Sequence, residues 1–328
     1  MMEFNPAPYV LKPASVTRVM LTVGAALIPG LIAYVVFFGP GILRTLAIAS
    51  IAAVVFEAAM LKLRDKPIDL FLKDGSALLT AWLLALSLPP TAPAWLVVVG
   101  VFFAIVIAKH LYGGLGQNPF NPAMVGFAVC IVSFPALMGQ WPATLGLDAV
   151  TAATPLDHLK TTLKLADGSQ TVAQIMGDQN VYGCFAGSGW EWIAGGYLIG
   201  GAALIALRII TWHIPVAFLV TVLLFSSGLW LYDAKSFAPP FFHLLGGATM
   251  LGAFFIATDP VSGATTPRGK LIFGAGCGLL AMVIRVFGGY PDGIAFAVLL
   301  MNLCTPLIDM FTQPPVFGMK DEKSGERS

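Results

Sequence analysis

A chain of 328 residues that is 57% hydrophobic and only 11% charged is too apolar to be an ordinary soluble domain. The net charge of +1 says nothing about nucleic acid by itself, and the sequence shows no basic patch with interleaved aromatics. Cys130, Cys184, Cys277 and Cys304 stand far apart with no C-x-x-C, which excludes iron–sulfur and c-type haem signatures and leaves the three membrane cysteines as small hydrophobes between helices.

In chain order, polar residues up to Arg18 precede an apolar run from Val19 to Phe38, too long for a signal-peptide core and expected to be the first membrane helix. Four more spans are predicted near Leu43–Leu61, Ser76–Leu88, Ala94–Leu111 and Ala123–Met138. A polar gap over 140–191 follows. Five further spans are predicted near Ile193–Ile210, Ile214–Leu231, Phe241–Ala257, Leu271–Phe287 and Gly293–Ile308, the third and eighth of the ten being short and interrupted by Gly and Pro. With the N-terminus inside, Lys62, Arg64, Lys66, Lys73, Lys109, Arg208, Arg268 and Lys270 fall on the cytoplasmic side. Only Arg44, Lys160, Lys164, Lys235 and Arg285 fall outside. This asymmetry places both termini in the cytoplasm and the 140–191 loop outside.

"GSALLTAWLLALSLPP" (75–90) is similar to "GGATMLGAFFIATDPV" (246–261), and "KHLYGG" ending at Gly114 to "IRVFGG" ending at Gly289. Five spans per copy is an odd number, so the copies would be inverted. The expected fold is therefore an all-α polytopic membrane protein of about ten transmembrane helices in two inverted five-helix repeats, with a site near the short broken helices.

Three places carry candidate chemistry. "GGLGQNPFNPAM" presents Asn118 and Asn121 after flexible glycines, either as donors and acceptors for a flat heterocycle or as a plain turn opening the next helix. Asp259 in "ATDPVSGATT" ends the eighth span, as a ligand partner or a helix cap. Glu57 lies inside the second span, a candidate for proton or cation handling unless it forms an interfacial pair with Lys62 or Arg64. The tryptophans near predicted span ends are explained by interfacial anchoring.

"DGSALLTAWLLALSLPP", "GGLGQNPFNPAM", "ATDPVSGATTPRGK" and "FGGYPDGIAFAVLLMNLCTPLID", in this order, closely resemble the D subunit of the Rnf ion-translocating ferredoxin–NAD oxidoreductase. The chain is also similar to the B subunit of the sodium-pumping NADH–quinone oxidoreductase. The resemblance covers about Phe4 to Gly318. It implies FMN attached by a phosphoester to a threonine, the work of a flavin transferase on the outer face of the bacterial inner membrane. The usual acceptor pattern is Ser/Thr-Gly-Ala-Thr. Ser262-Gly263-Ala264-Thr265 matches it in full, whereas Thr151-Ala152-Ala153-Thr154 carries Ala at its second position. Topology selects Thr154, because it alone lies in the outer loop, and "DAVTAATPLD" matches the surroundings of the family's flavinylated threonine.

The resemblance further implies a second, non-covalent flavin, riboflavin, for which Asn118, Asn121 and Asp259 are the candidates. The expected organisation is a first membrane repeat over 1–139, a flavin-carrying periplasmic loop over 140–191, a second repeat over 192–311 and a cytoplasmic tail over 312–328. The implied role is a flavin-carrying translocase subunit that couples electron transfer between ferredoxin and NAD to Na+ or H+ movement. Its implied partners are membrane lipid and the other members of the complex, including a second covalent-flavin protein at the outer face. No P-loop or dinucleotide fingerprint is present, so nucleotide oxidation falls to those partners. A small-solute channel or secondary transporter of inverted-repeat fold, without redox role, is the alternative, and a purely structural assembly role is a third reading.

Overall fold

A computed structural model describes residues 15–144, 151–166 and 169–313. The first span is kinked rather than continuous: α1 (Val16–Ala26) meets α2 (Ile28–Phe38) at Leu27. Pro29 lacks an amide hydrogen and its ring crowds the carbonyl of Ala25, so the hydrogen-bond ladder breaks there. Next come α3 (Gly41–Leu63), the short α4 (Ile68–Leu72), α5 (Ser76–Ser87) and α6 (Ala94–Phe102). The predicted fourth span finishes not as α-helix but as a π-helical stretch, Phe103–His110. The fifth span, α7 (Pro122–Ser133), stops before Pro135, which opens the one-turn α8 (Pro135–Met138).

The intervening loop holds a two-residue ladder, β1 (Trp141–Pro142) against β2 (Thr151–Ala152), then α9 (Pro155–Ala166) and α10 (Val172–Ile175). The second series is α11 (Trp190–Ala206), α12 (His213–Tyr232), α13 (Pro240–Leu245), α14 (Thr249–Leu251) running into a π-helical Gly252–Ile256, α15 (Pro267–Phe287) and α16 (Ile294–Thr312).

The element order repeats. Each half has a first helix (α2, α11), a long helix (α3, α12), a short helix (α4, α13), a positive-φ glycine and a short re-entering helix. Two further helices follow in each. The glycines are Gly75 (φ 78°) and Gly247 (φ 62°), in a conformation that a Cβ would strain. The packing repeats as well: α3 lies on α4 and α6 as α12 lies on α13 and α15, and α6 meets α7 as α15 meets α16.

The long helices Gly41–Leu63, His213–Tyr232, Pro267–Phe287 and Ile294–Thr312, together with Val16–Phe38, are long and apolar enough to cross a bilayer. Their outward faces carry large apolar side chains such as Ile51, Val55, Leu224 and Leu303, which water would not tolerate in bulk. The chain is a multi-pass, all-α membrane protein. Cys130 and Cys277 pack inside as expected, whereas Cys304 is exposed on α16.

The halves meet through α2 against α11 and α7 against α16. At the first seam Gly30 packs against the Tyr197 ring, Gly196 against the Gly30 backbone and Gly200 against the Ala26 carbonyl. Small residues let two backbones approach where lipid offers no hydrophobic drive between helices. The loop is not loose either. Leu156, Leu159, Val172, Ile175 and Tyr182 form a second apolar cluster with Phe242 of α13.

Gly200→Leu has no room at this seam and is expected to lose about 1–3 kcal/mol by overpacking. Gly195→Leu, whose added Cβ meets nothing within 4 Å, is expected to lose none. Thermal unfolding of the two variants in detergent checks the difference.

Candidate functional site

Thr154 caps α9. Its Oγ1 accepts the Asp157 amide at 3.2 Å and its carbonyl accepts the His158 amide at 2.8 Å. The sequence Thr-Pro-Leu-Asp dictates this locally: a hydroxyl at the cap, a proline at the first helical position and an acid in the first turn. The hydroxyl therefore sits at the positive end of a helix of 12 residues, where added negative charge is stabilised.

The helix is pinned to the membrane core. The Lys160 ammonium donates to the carbonyls of Arg285 (2.9 Å) and Tyr290 (2.8 Å), and the His158 ring lies 2.9 Å from the Tyr182 hydroxyl. Burial, with Lys164 nearby, holds the Lys160 pKa below the ordinary lysine value.

Thr265 has different surroundings. It is exposed, just before the start of α15, and both its amide and its hydroxyl donate to Asp309, at 3.0 and 2.9 Å. Since α9 docks at the far end of α15, that 21-residue helix separates the two threonines by about 30 Å, the thickness of a bilayer's hydrocarbon core.

Each end has a cavity. Thr154 and Asp157 line one of about 120 Å³, walled by Tyr34, Trp141, Trp190, Tyr197 and Phe127. Trp141 and Trp190 pack edge to face at 5.2 Å, and Trp190 contacts Tyr34 likewise at 6.3 Å. Trp190 is thus more than an interfacial anchor. The Tyr34 hydroxyl is buried with no hydrogen-bond partner among the described residues. A threonine at a helix N-terminus, beside an aromatic-walled slot with an orphan hydroxyl, fits a phosphate-linked planar ring.

The other cavity, of about 390 Å³, brings Asn118, Asn121 and Asp259 together, with Ser76, Lys109, Thr258 and Lys270 adding polar groups to walls that include Leu79, Leu83, Phe254 and Phe255. That volume and mix are those of a small-molecule site. The two chain breaks are stitched to each other and to α16. Asn121 caps α7 through the Met124 amide (3.2 Å) and donates from Nδ2 to the Ile256 carbonyl (3.1 Å), and its own amide donates to Asn302 Oδ1 (3.0 Å). Asn302 in turn donates to the Ser262 carbonyl at 2.9 Å, and Ser262 donates to Asp259 at 2.6 Å. Asn121 therefore spends much of its capacity on structure, while Asn118 uses one donor on the Phe120 carbonyl at 3.0 Å.

Glu57 is not paired at the interface with Lys62 or Arg64. Its Oε1 accepts from Lys109 Nζ at 2.8 Å, its Oε2 lies 2.9 Å from His110 Nε2, and all three side chains are buried. Lys109 also donates to Ser76 at 2.8 Å, and Arg64 reaches His110 at 3.2 Å and the Gly113 carbonyl at 2.8 Å. Helix geometry explains the outcome. The π-helical end of the fourth span turns Lys109 and His110 inward together, whereas Lys62 follows the outer face of α3. The signal was in the sequence, a Lys-His pair closing an apolar run, but partner choice depended on the packing of α3 against that π-helical stretch.

Fold and cavities together define a multi-pass membrane protein with one ligand-sized cavity and a smaller aromatic slot beside Thr154. The chain belongs to the NQR2, RnfD, RnfE family, whose model matches residues 3–318. It is 49% identical to a protein of Yersinia enterocolitica named as the D subunit of an ion-translocating oxidoreductase complex, covering 97% of this chain and 98% of that one. Proteins of the same name from Yersinia pestis and Escherichia fergusonii are each 48% identical, covering 97% and 95% of this chain and 99% and 97% of their own lengths.

Removing one member of the buried pair strands the other. Glu57→Gln and Lys109→Met are each expected to cost about 3–5 kcal/mol, and the double variant less than their sum. Denaturation of the three variants in detergent, read as a double-mutant cycle, checks this.

Proposed function

We propose that this chain is the flavin-carrying membrane subunit of an ion-translocating complex that moves electrons between ferredoxin and NAD. Relatives at 48–49% identity over nearly their whole length support the complex, since they carry the name of its D subunit. The observation that carries the flavin reading is Thr154, held as the cap of a docked helix beside an aromatic slot at the opposite end of α15 from Thr265. Bound flavin would supply the one- and two-electron chemistry, and the protein its position and electrostatics.

In this reading Thr154 Oγ1 bears the FMN phosphate, and the α9 N-terminus stabilises the phosphate's charge. Lys160 keeps that helix on the membrane core. Asn118 and Asp259 would hold a second, non-covalent flavin (riboflavin) in the larger cavity, while Lys109 is committed to Glu57 and Ser76. The Thr154 loop faces the periplasm of a bacterial inner membrane, where a flavin transferase and a second covalent-flavin protein of the complex reach it, and both termini lie in the cytoplasm. Glu57 is the coupling acid: a Na+ ion or proton arriving at its carboxylate competes with the Lys109 ammonium, 2.8 Å from Oε1.

Wild type, Thr154→Ala and Thr265→Ala, each expressed with the transferase, are expected to differ on a denaturing gel under ultraviolet light. Fluorescence should persist in wild type and Thr265→Ala and vanish in Thr154→Ala. Loss only in Thr265→Ala would reject both the site and the orientation.

The Glu57→Gln/Lys109→Met double variant separates stability from coupling. If it folds with its covalent flavin, it should still take up electrons but lose most ion uptake in proteoliposomes of the assembled complex. Undiminished uptake would remove Glu57 from the ion path.

A further inference from the structure

Tyr34 uses a hydroxyl where none is needed for packing. The residue is 2% exposed, and its ring is held by Phe38 at 5.2 Å and by Trp190 edge-on. Phenylalanine would fill the same space. Yet the position carries a phenol whose hydroxyl is buried with no partner among the described residues, an arrangement that destabilises an empty site. That side chain lines the slot that Thr154 and Asp157 also line, together with Trp141, Trp190 and Tyr197. An orphan donor in an aromatic slot next to a threonine cap marks a place for a planar ring with an acceptor on its edge.

We infer that Tyr34 is a ring-binding residue for the flavin on Thr154: its hydroxyl donates a hydrogen bond to a carbonyl oxygen on the edge of the isoalloxazine, and Trp141 and Trp190 flank that edge. The inference rests on Thr154 being the FMN acceptor. A space of about 120 Å³ takes one edge of the ring system and not the whole cofactor, and the flexible ribityl chain between phosphate and ring supplies the reach.

Two consequences follow for this chain. A donor on a ring carbonyl favours electron density on the ring, so Tyr34 raises the reduction potential of that flavin. The seat also sets the ring edge against Tyr197, whose own ring packs at 5.9 Å on Phe255, a wall residue of the larger cavity. The smaller slot and the larger cavity are thereby joined by an aromatic contact within the second half.

The test compares Tyr34→Phe in the wild-type and Thr154→Ala backgrounds, each expressed with the transferase and purified in detergent. In-gel fluorescence reports the covalent flavin, while unfolding temperature and a spectroscopic redox titration report the seat. Tyr34→Phe should keep its gel fluorescence, unfold at lower temperature than wild type and shift the covalent flavin to lower potential. In the Thr154→Ala background, where the hydroxyl has nothing to bind, the same change should raise the unfolding temperature. That reversal of sign is the signature of a ligand bond. An equal effect in both backgrounds, or an unchanged potential, would overturn the seat while leaving Thr154 as acceptor. Wild type without gel fluorescence would instead overturn the acceptor reading and the seat with it.

Discussion

A carbonyl or amide left without a partner in hydrocarbon has no water to turn to, so a membrane chain can break a helix only where protein supplies the missing bond. Both cavities of this molecule are lined in part by residues of such breaks, Asn118, Asn121 and Asp259 in the larger and Gly247 and Ala248 in the smaller. The Ile256 carbonyl at the end of the π-helical Gly252–Ile256 is taken by Asn121, and the Ser262 carbonyl by Asn302 and Thr305. At the other break, the His243 carbonyl receives both Thr249 and Arg285, and the Gly246 carbonyl receives Thr249. The polar side chains buried in this protein are first of all the stitching of interrupted helices. The cavities exist because the stitching holds the breaks open.

The same constraint governs the charges. Arg285 is buried and answers Asp292 at 3.0 Å, while Asp292 also accepts the Ala248 amide that opens α14. In the other half Lys109 and His110 answer Glu57, and Lys109 reaches Ser76 at the start of α5. "KHLYGG" and "IRVFGG" are thus equivalent in physical terms as well as in letters. Each places a buried base against an acid beside the start of a short re-entering helix. An ion pair in such surroundings is poor evidence of stabilisation by itself, because desolvation offsets its attraction. What it does provide is a charge arrangement that a cation can perturb.

The aromatic slot beside Thr154 shows a division of labour between the loop and the membrane core. α9 brings the threonine, α2 brings Tyr34, and α11 brings Trp190 and Tyr197. The glycines of the α2–α11 seam are what allow those rings to approach one another, with Gly30 lying directly against Tyr197. Packing between the two halves therefore sets the shape of the slot at Thr154.

The sequence by itself determined the all-α, multi-pass class, the order of the apolar helices and the short, interrupted character of the third and eighth. Apolar run length and Gly/Pro breakers act locally and need no partner to be read. It also determined which residue types stand at the breaks, so Asn118, Asn121 and Asp259 could be grouped before any contact was known. Only the tertiary structure decided the partner of Glu57, because a π-helical stretch rotates Lys109 and His110 inward and no periodicity in the letters distinguishes it from α-helix. The kink at Leu27 follows from Pro29, but the extent to which Asn121 is consumed by capping and by the Ile256 carbonyl does not. The slot joining Tyr34, Trp190 and Thr154 is likewise a tertiary product. Its walls come from segments more than a hundred residues apart, and side chains so distant in the chain acquire a shared environment only when helices pack.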